Sequence, residues 1–217
     1  MATFIPTAEF TQLASEEQIA KTMLALEAHG MRAVVFESGE EARAHVLDLI
    51  PSGAEVYNSP SRTLELIGLA EDIEHPTRFQ SVRARLHALD RVTQRNEMRK
   101  LGASPDVLVG SVHAITEQGE VLIASAVGSQ LGPAASGAGA VIWVVGTQKL
   151  VHTLEDGFRR IREYSYHSAL APLLPVENER THLVYGQATA INKILIVNGE
   201  AYLGRITIVL VKQQLGF

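Results

Sequence analysis

Two groups of small polar residues, each closing an apolar run of strand length, carry side chains suited to holding an anion. The first is Asn58-Ser59-Pro60-Ser61-Arg62-Thr63, which follows Ala54–Asn58. A strand, a short hydroxyl-bearing loop and the start of a helix together bind anions. The first N–H groups of the helix lack internal partners, and its dipole favours negative charge there. Arg62 adds a formal charge. Ser61 equally serves as the N-cap of the helix, because serine is preferred at that position whether or not a ligand binds. The second group has two pieces, Gly110-Ser111-Val112-His113 and Ala124-Ser125-Ala126-Val127-Gly128-Ser129-Gln130. Glycine lets backbone approach a ligand closely, and Ser111, Ser125 and Ser129 supply hydroxyls. Ser129 also reads as a helix cap. Lys149, after Val144-Val145-Gly146-Thr147-Gln148, is a cation for a carboxylate or phosphate, or a surface residue. The ligand-binding candidates are therefore Asn58, Ser59, Ser61, Arg62, Thr63, Ser111, Ser125, Gly128, Ser129 and Lys149.

Proton transfer has two candidates. His113 is of the type that titrates near neutrality and exchanges protons readily, although a lone histidine also fills structural roles. Glu117 precedes the Gln118-Gly119 turn, a place where carboxylates are ordinarily solvated.

Other chemistries are excluded by what is missing. The chain has no cysteine, which removes disulfides, thiolate metal sites, Cys-ligated iron–sulfur clusters and a thiol nucleophile together. The eight histidines show neither His-Glu-x-x-His nor another metal spacing. No metal and no cofactor are expected. The phosphate-cradling Walker A motif, Gly-x-Gly-x-x-Gly and the hydrolase elbow Gly-x-Ser-x-Gly are all absent, and Gly137-Ala138-Gly139 follows a helix rather than a strand. The net charge of −5 and a pI near 5.9 argue against a nucleic-acid partner, though not against a local cationic pocket.

The elements that must position these residues follow from pattern. With 217 residues, 46% of them hydrophobic and 20% charged, one domain over residues 1–217 is expected, with an N-terminal part (1–53) and a core (54–217). Ser15-Glu-Glu-Gln18 predicts a capped helix ending at Gly30. Met31–Glu37 predicts a strand, Glu40–Ile50 a helix stopped by Pro51, Ala54–Asn58 a strand and Arg62–Ala70 a helix. Pro76–Lys100 repeats apolar residues at helical spacing among arginines, and predicts one long helix or two broken ones. Its stripe packs on the core or on a second copy, so a homo-oligomer is left open. Asp106–Ser111 predicts a buried strand, and His113–Thr116 with Glu120–Ser125 a hairpin. Ser129–Gly139 predicts a tightly packed helix, Ala140–Gly146 a central strand, and Thr153-Leu-Glu-Asp156 a cap for a helix to about His167. Ala169–Glu179 reads as a Pro-containing loop. Lys193–Val197 and Arg205–Val211 read as strands joined through Asn198-Gly199, a hairpin signal. Strands alternating with helices give an α/β fold with an open, mostly parallel sheet flanked by helices and extended by hairpins. The start, Met1-Ala-Thr-Phe-Ile-Pro6, does not read as a signal peptide, and no apolar run approaches the roughly 18 residues of a membrane span. A cytoplasmic location is expected.

The second half resembles the LUD (lactate utilization) domain family, the lactate utilization protein C group. The resemblance is carried by Gly110–Gly119, Ala124–Gln130, Val141–Val151, Leu154–Arg162, Gly204–Val211 and Leu215-Gly216-Phe217, in order and spacing. Asn58–Gly68 is similar to the family's Gly/Ser turn followed by Thr-Leu-x-x-x-Gly, although the family's Gly-Gly-Ser is here Asn58-Ser59-Pro60-Ser61. Some members carry a Cys-rich segment where this chain has Tyr185–Asn192, without a thiol. The resemblance implies a fold similar to the ribose-5-phosphate isomerase and CoA-transferase group and a part in L-lactate oxidation to pyruvate, beside iron–sulfur and oxidoreductase partner proteins. It supplies no catalytic motif. Three functions are expected in turn: an accessory or ligand-binding subunit without its own redox cofactor, an enzyme on a small carboxylate, sugar phosphate or CoA ester, and a ligand-sensing regulatory module.

Overall fold

Six strands, five of them with apolar residues and one a short polar edge, build the main sheet among the described residues: β1 (Arg32–Phe36), β2 (Glu55–Asn58), β3 (Gln80–Ser81), β4 (Val107–Gly110), β7 (Ala140–Gly146) and β10 (Ile206–Val211). The computed structural model describes residues 8–74, 78–165 and 191–217. In it these strands lie in the order β1-β10-β7-β4-β2-β3, every pair parallel. The near-continuous apolar sequence of β7 and β10 is what a parallel sheet buried on both faces requires. Alternate residues feed opposite cores. Val141, Trp143 and Val145 of β7 point to one, Ile142 and Val144 to the other.

A second sheet covers one face. It comprises β5 (Ala114–Thr116), β6 (Val121–Ser125), β8 (Leu150–Val151) and β9 (Lys193–Val197), in the order β8-β5-β6-β9. β5 and β6 form the antiparallel hairpin expected from Gln118-Gly119, with Gly119 at φ 86°. The Asn198-Gly199 hairpin does not form. β9 pairs antiparallel with β6, whereas β10 enters the main sheet between β1 and β7. Burial explains the split. β9 is only half-buried, while all six residues of β10 are buried and need neighbours on both edges and both faces. The connection is tied down instead by Glu200 N donating to the His29 carbonyl at 2.8 Å.

Helices α1 (Glu16–Ala28) and α2 (Gly39–Leu49) start at the caps Ser15 and Ser38, the latter a full capping box with Glu41. The expected Arg62–Ala70 helix breaks into α3 (Arg62–Leu66) and α4 (Leu69–Glu74) at Gly68, whose φ is 76°. Pro76–Lys100 becomes the edge strand β3 and two helices, α5 (Val82–Ala88) and α6 (Arg95–Ala103). The break falls where the Asp90 carboxylate accepts from the Val92 and Thr93 N–H groups and the Thr93 hydroxyl, a local turn that competes with helix. The helix expected over Ser129–Gly139 is shorter, two α-helical residues, Leu131 and Gly132, running into a π-helical turn, Pro133–Gly137. The helix α7 (Leu154–Arg159) starts at a Thr153–Asp156 capping box and continues as a π-helical turn over Arg160–Ser165. The expected Ala169–Glu179 loop and most of Tyr185–Asn192 lie outside the described residues.

α2, α3 and α4 pack on one face of the main sheet; α1, α5 and the second sheet pack on the other. Ile161 and Phe158 then cover the outer face of the second sheet. β2 leads outward to β3, whereas β4 leads the opposite way to β7. These diverging connections put a topological switch point at the carboxyl ends of β2 and β4, the place where open α/β sheets hold ligands.

Gly137 fixes how closely the π-helical turn meets α6: a β-carbon there would lie 1.9 Å from the Ala103 carbonyl oxygen. Gly137→Ala is expected to destabilise the fold by about 1–3 kcal/mol, read from the urea midpoint.

Candidate functional site

Three carboxyl ends of the main sheet converge on one side chain. After β7, residues Thr147–Lys149 form a tight 3-10 turn into β8, and this turn buries Thr147, Gln148 and Lys149. Lys149 is 2% exposed. Its Nζ donates to Thr63 Oγ1 at 3.0 Å and to Ser111 Oγ at 3.0 Å. Thr63 donates onward to the Leu215 carbonyl at 3.1 Å, which leaves its oxygen to accept from Lys149. Gln148 Nε2 reaches the same carbonyl at 3.0 Å. Gly216, at φ 66°, lies so close to Thr63 that a β-carbon would come within 2.6 Å of Oγ1. Lys149 thus pins the helix after β2, the loop after β4 and the segment after β10 to one point.

A second buried cation lies within Coulombic reach. Arg160, in the turn that extends α7, is wholly buried. Its Nη1 donates to the His113 carbonyl at 2.5 Å and to Ser165 Oγ at 3.0 Å, and its guanidinium lies 5.1 Å from the Tyr164 ring centroid. Among the described residues, Nε and Nη2 have no hydrogen-bond partner. Arg160 was not among the sequence candidates. The signal for it was present: Gly157, Ile161 and Tyr164 place Arg160 on the buried face of its helix, where an unpaired charge is costly.

His113 completes the group. Its Nδ1 accepts from Ala124 N at 3.1 Å, so the neutral ring carries its proton on Nε2. Burial, and then the charges of Lys149 and Arg160, push the His113 pKa down to about 3. Burial, with Arg160 adding to it, holds the Lys149 amine well below its ordinary value. Burial brings the Arg160 guanidinium down to about 10. Among the described residues, no carboxylate hydrogen-bonds to Lys149, Arg160 or His113. This is the reverse of the usual arrangement, in which a buried cation is paired.

The other candidates divide. Asn58 and Ser59 stand at the carboxyl end of β2, beside β4. Ser59 N donates to the Val109 carbonyl at 2.9 Å, and its Oγ abuts Gly110, where a β-carbon would come within 2.5 Å. Asn58 is fully buried and donates to Glu74 Oε1 at 2.7 Å, leaving its Oδ1 without a partner among the described residues. Ser61 caps α3, accepting from Leu64 N at 3.4 Å. Arg62 is exposed and pairs with Glu65 at 3.1 Å. Ser125 accepts from Gly128 N at 2.8 Å and donates to Gln130 Oε1 at 3.0 Å, forming a local turn to which exposed Ser129 also contributes. Gly128, at φ 86°, packs against the Lys193 side chain. This turn ends β6 at the same end of the hairpin as His113. Glu117 is at the other end of β5, about 13 Å of extended chain from His113. It pairs with Lys21 at 2.6 Å and with His152; the Lys21 hydrogen bond is the main force lowering its pKa. The structure therefore brings Thr63, Ser111, His113 and Lys149 together and keeps Arg62, Glu117 and Ser129 apart from them.

A cavity of about 540 Å³ opens at the opposite, amino end of β7 and β10, between Ala135, Tyr202 and Arg205. Its arginine is already occupied by Glu200 at 2.6 Å and by the carbonyls of Pro133, Ala134 and Ala138. Among the described residues, no three His, Asp or Glu side chains are grouped to hold a metal, and no helix is long and apolar enough to cross a membrane.

Sheet and centre together define a parallel α/β protein with a buried basic cluster beyond the carboxyl ends of its strands. The chain belongs to the LUD domain family, whose model matches residues 19–211, a span that includes Thr63, Ser111, His113, Lys149 and Arg160. Membership connects it in general terms with lactate utilization. A solved structure to which it is similar is a DUF162 family protein from Deinococcus radiodurans. The two are 11% identical, with a TM-score of 0.49 and coverage of 92% of this chain and 99% of that one. No curated protein matches the chain.

The histidine makes the fold acid-sensitive. Below about pH 6.5 the unfolded chain takes up a proton on His113, whereas the folded chain does so only near pH 3. The unfolded state then binds more protons, so stability falls as pH drops through this window. The urea midpoint is expected to decline between pH 6.5 and 4, and His113→Asn to make that decline shallower.

Proposed function

We propose that this protein is a ligand-binding component of L-lactate utilization, without a redox cofactor of its own, whose ligand is a small carboxylate. It acts in the cytoplasm beside the oxidoreductase and iron–sulfur proteins that move the electrons. One observation carries the reading: Arg160 is wholly buried with no carboxylate partner among the described residues, and two of its donor nitrogens, Nε and Nη2, are unused. Buried charge without compensation is expensive, and a bound anion supplies the compensation. Nε and Nη2 form one edge of the guanidinium fork, the geometry that takes a carboxylate through two bonds. The protein uses the same edge elsewhere, where Arg43 Nε and Nη2 hold Asp72 at 2.5 and 2.7 Å. Family membership supports the pathway and the small-acid class.

Calorimetry with lactate, pyruvate and inorganic phosphate is the test. At least one carboxylate is expected to bind and raise the melting temperature. Arg160→Met should weaken that binding by about 2 kcal/mol or more, because the carboxylate then loses a buried, charge-assisted partner. No binding of either acid, or binding indifferent to Arg160, would remove the proposal. In the cell, a clean deletion is expected to abolish growth on L-lactate.

A further inference from the structure

The geometry points to Lys149 as a carbonyl-capturing amine, which forms an imine with a small 2-oxo carboxylate whose carboxylate group is held by Arg160. This rests on the binding reading above and adds a covalent step to it.

The hydrogen-bond count at Nζ is the first argument. Lys149 has two acceptors, Thr63 Oγ1 and Ser111 Oγ. An ammonium would carry a third N–H into a buried space with no further acceptor among the described residues. A neutral amine has two N–H bonds and a lone pair, so the two hydroxyls complete it and leave the lone pair free. The depressed Lys149 pKa has the same sense, since burial and Arg160 both favour the neutral form. A neutral, desolvated lysine is the form that attacks carbonyl carbon.

The second argument is placement. Thr63, Gln148, Lys149 and Arg160 are buried, whereas Ser111 and His113 retain partial exposure, so those two residues are the part of the cluster nearest solvent. Arg160, whose Nε and Nη2 are unused, holds the carbonyl of His113, two residues along the chain from the Ser111 hydroxyl that accepts from the amine. In a 2-oxo acid the carboxylate is bonded directly to the carbonyl carbon, so one compact molecule presents both groups.

The step balances without a co-reactant. The Nζ lone pair adds to the carbonyl carbon, and the carbonyl π electrons move to oxygen. Both amine hydrogens then pass to that oxygen, which leaves as water, and a C=N bond replaces C=O. Ser111 can relay these protons, accepting one from Nζ and giving up its own. Thr63 cannot, because its hydroxyl proton is committed to the Leu215 carbonyl.

The test incubates the intact protein with glyoxylate or pyruvate, adds borohydride, and maps the product by peptide mass spectrometry. Borohydride delivers hydride to the imine carbon and leaves a stable secondary amine. One dominant adduct on Lys149 is expected, absent with lactate, which has no carbonyl. Arg160→Met is expected to raise the half-saturating acid concentration at least about tenfold, as loss of a charge-assisted pair would. Calorimetric binding of pyruvate without an adduct at Lys149 would overturn the covalent step and leave the binding reading standing. Neither binding nor adduct would overturn both. Adducts confined to exposed Lys21 and Lys100 would also overturn it. The wild-type measurement needs no variant, so a Lys149 substitution that fails to fold does not obscure the result.

Discussion

The burial of Lys149 between two hydroxyls organises the carboxyl end of the main sheet. Thr63 comes from the helix after β2, Ser111 from the loop after β4, and Lys149 from the turn after β7. Leu215, from the segment after β10, enters through Thr63 and Gln148. Four strand ends are thereby fixed relative to one another by hydrogen bonds to a single amine and its partners. The glycines nearby have their positions set by the same convergence, since Gly110 and Gly216 sit where a β-carbon would strike Ser59 or Thr63. Four strand ends tied together in this way preorganise the cluster, which is what the proposed recognition of a small molecule demands.

The electrostatics follow from the burial. Net charge of the whole chain is negative, yet the interior beyond the strand ends collects Lys149 and Arg160 with a histidine held neutral between them. The acidic residues are spent elsewhere. Glu117 serves Lys21 and His152, Glu74 serves Arg83 and Asn58, and Glu200 serves Arg205. Local charge and global charge have opposite signs, and the local one lies beyond the carboxyl ends of the strands.

Much of this was legible in the sequence. Period and capping located the strands and most helices, because Ser15, Ser38 and Thr153 act locally and need no tertiary context. Lys149, Thr63 and Ser111 were found as polar residues just beyond apolar strands. What failed was whatever depends on distant partners. Asn198-Gly199 has hairpin chemistry, but β10 gains more by lying between β1 and β7 than by pairing with β9. The Asp90 turn and Gly68 broke helices whose apolar spacing was continuous. Arg160 was legible only through its neighbours: Gly157, Ile161 and Tyr164 mark its side of the helix as the buried one, whereas an arginine among charged residues by itself reads as solvated.

The position of β10 also governs how this chain is assembled on the ribosome. β1 is synthesised well before β10, yet among the described residues β10 is its one neighbour in the main sheet. β7 likewise has one edge open until β10 arrives. Two apolar strand edges therefore stay unpaired until β10 has been made, and closure of the long stretch from β1 to β10 must precede completion of the sheet. Chain order thus makes β10 the keystone: products truncated before it would expose unpaired β edges, so protection during synthesis matters for this sheet.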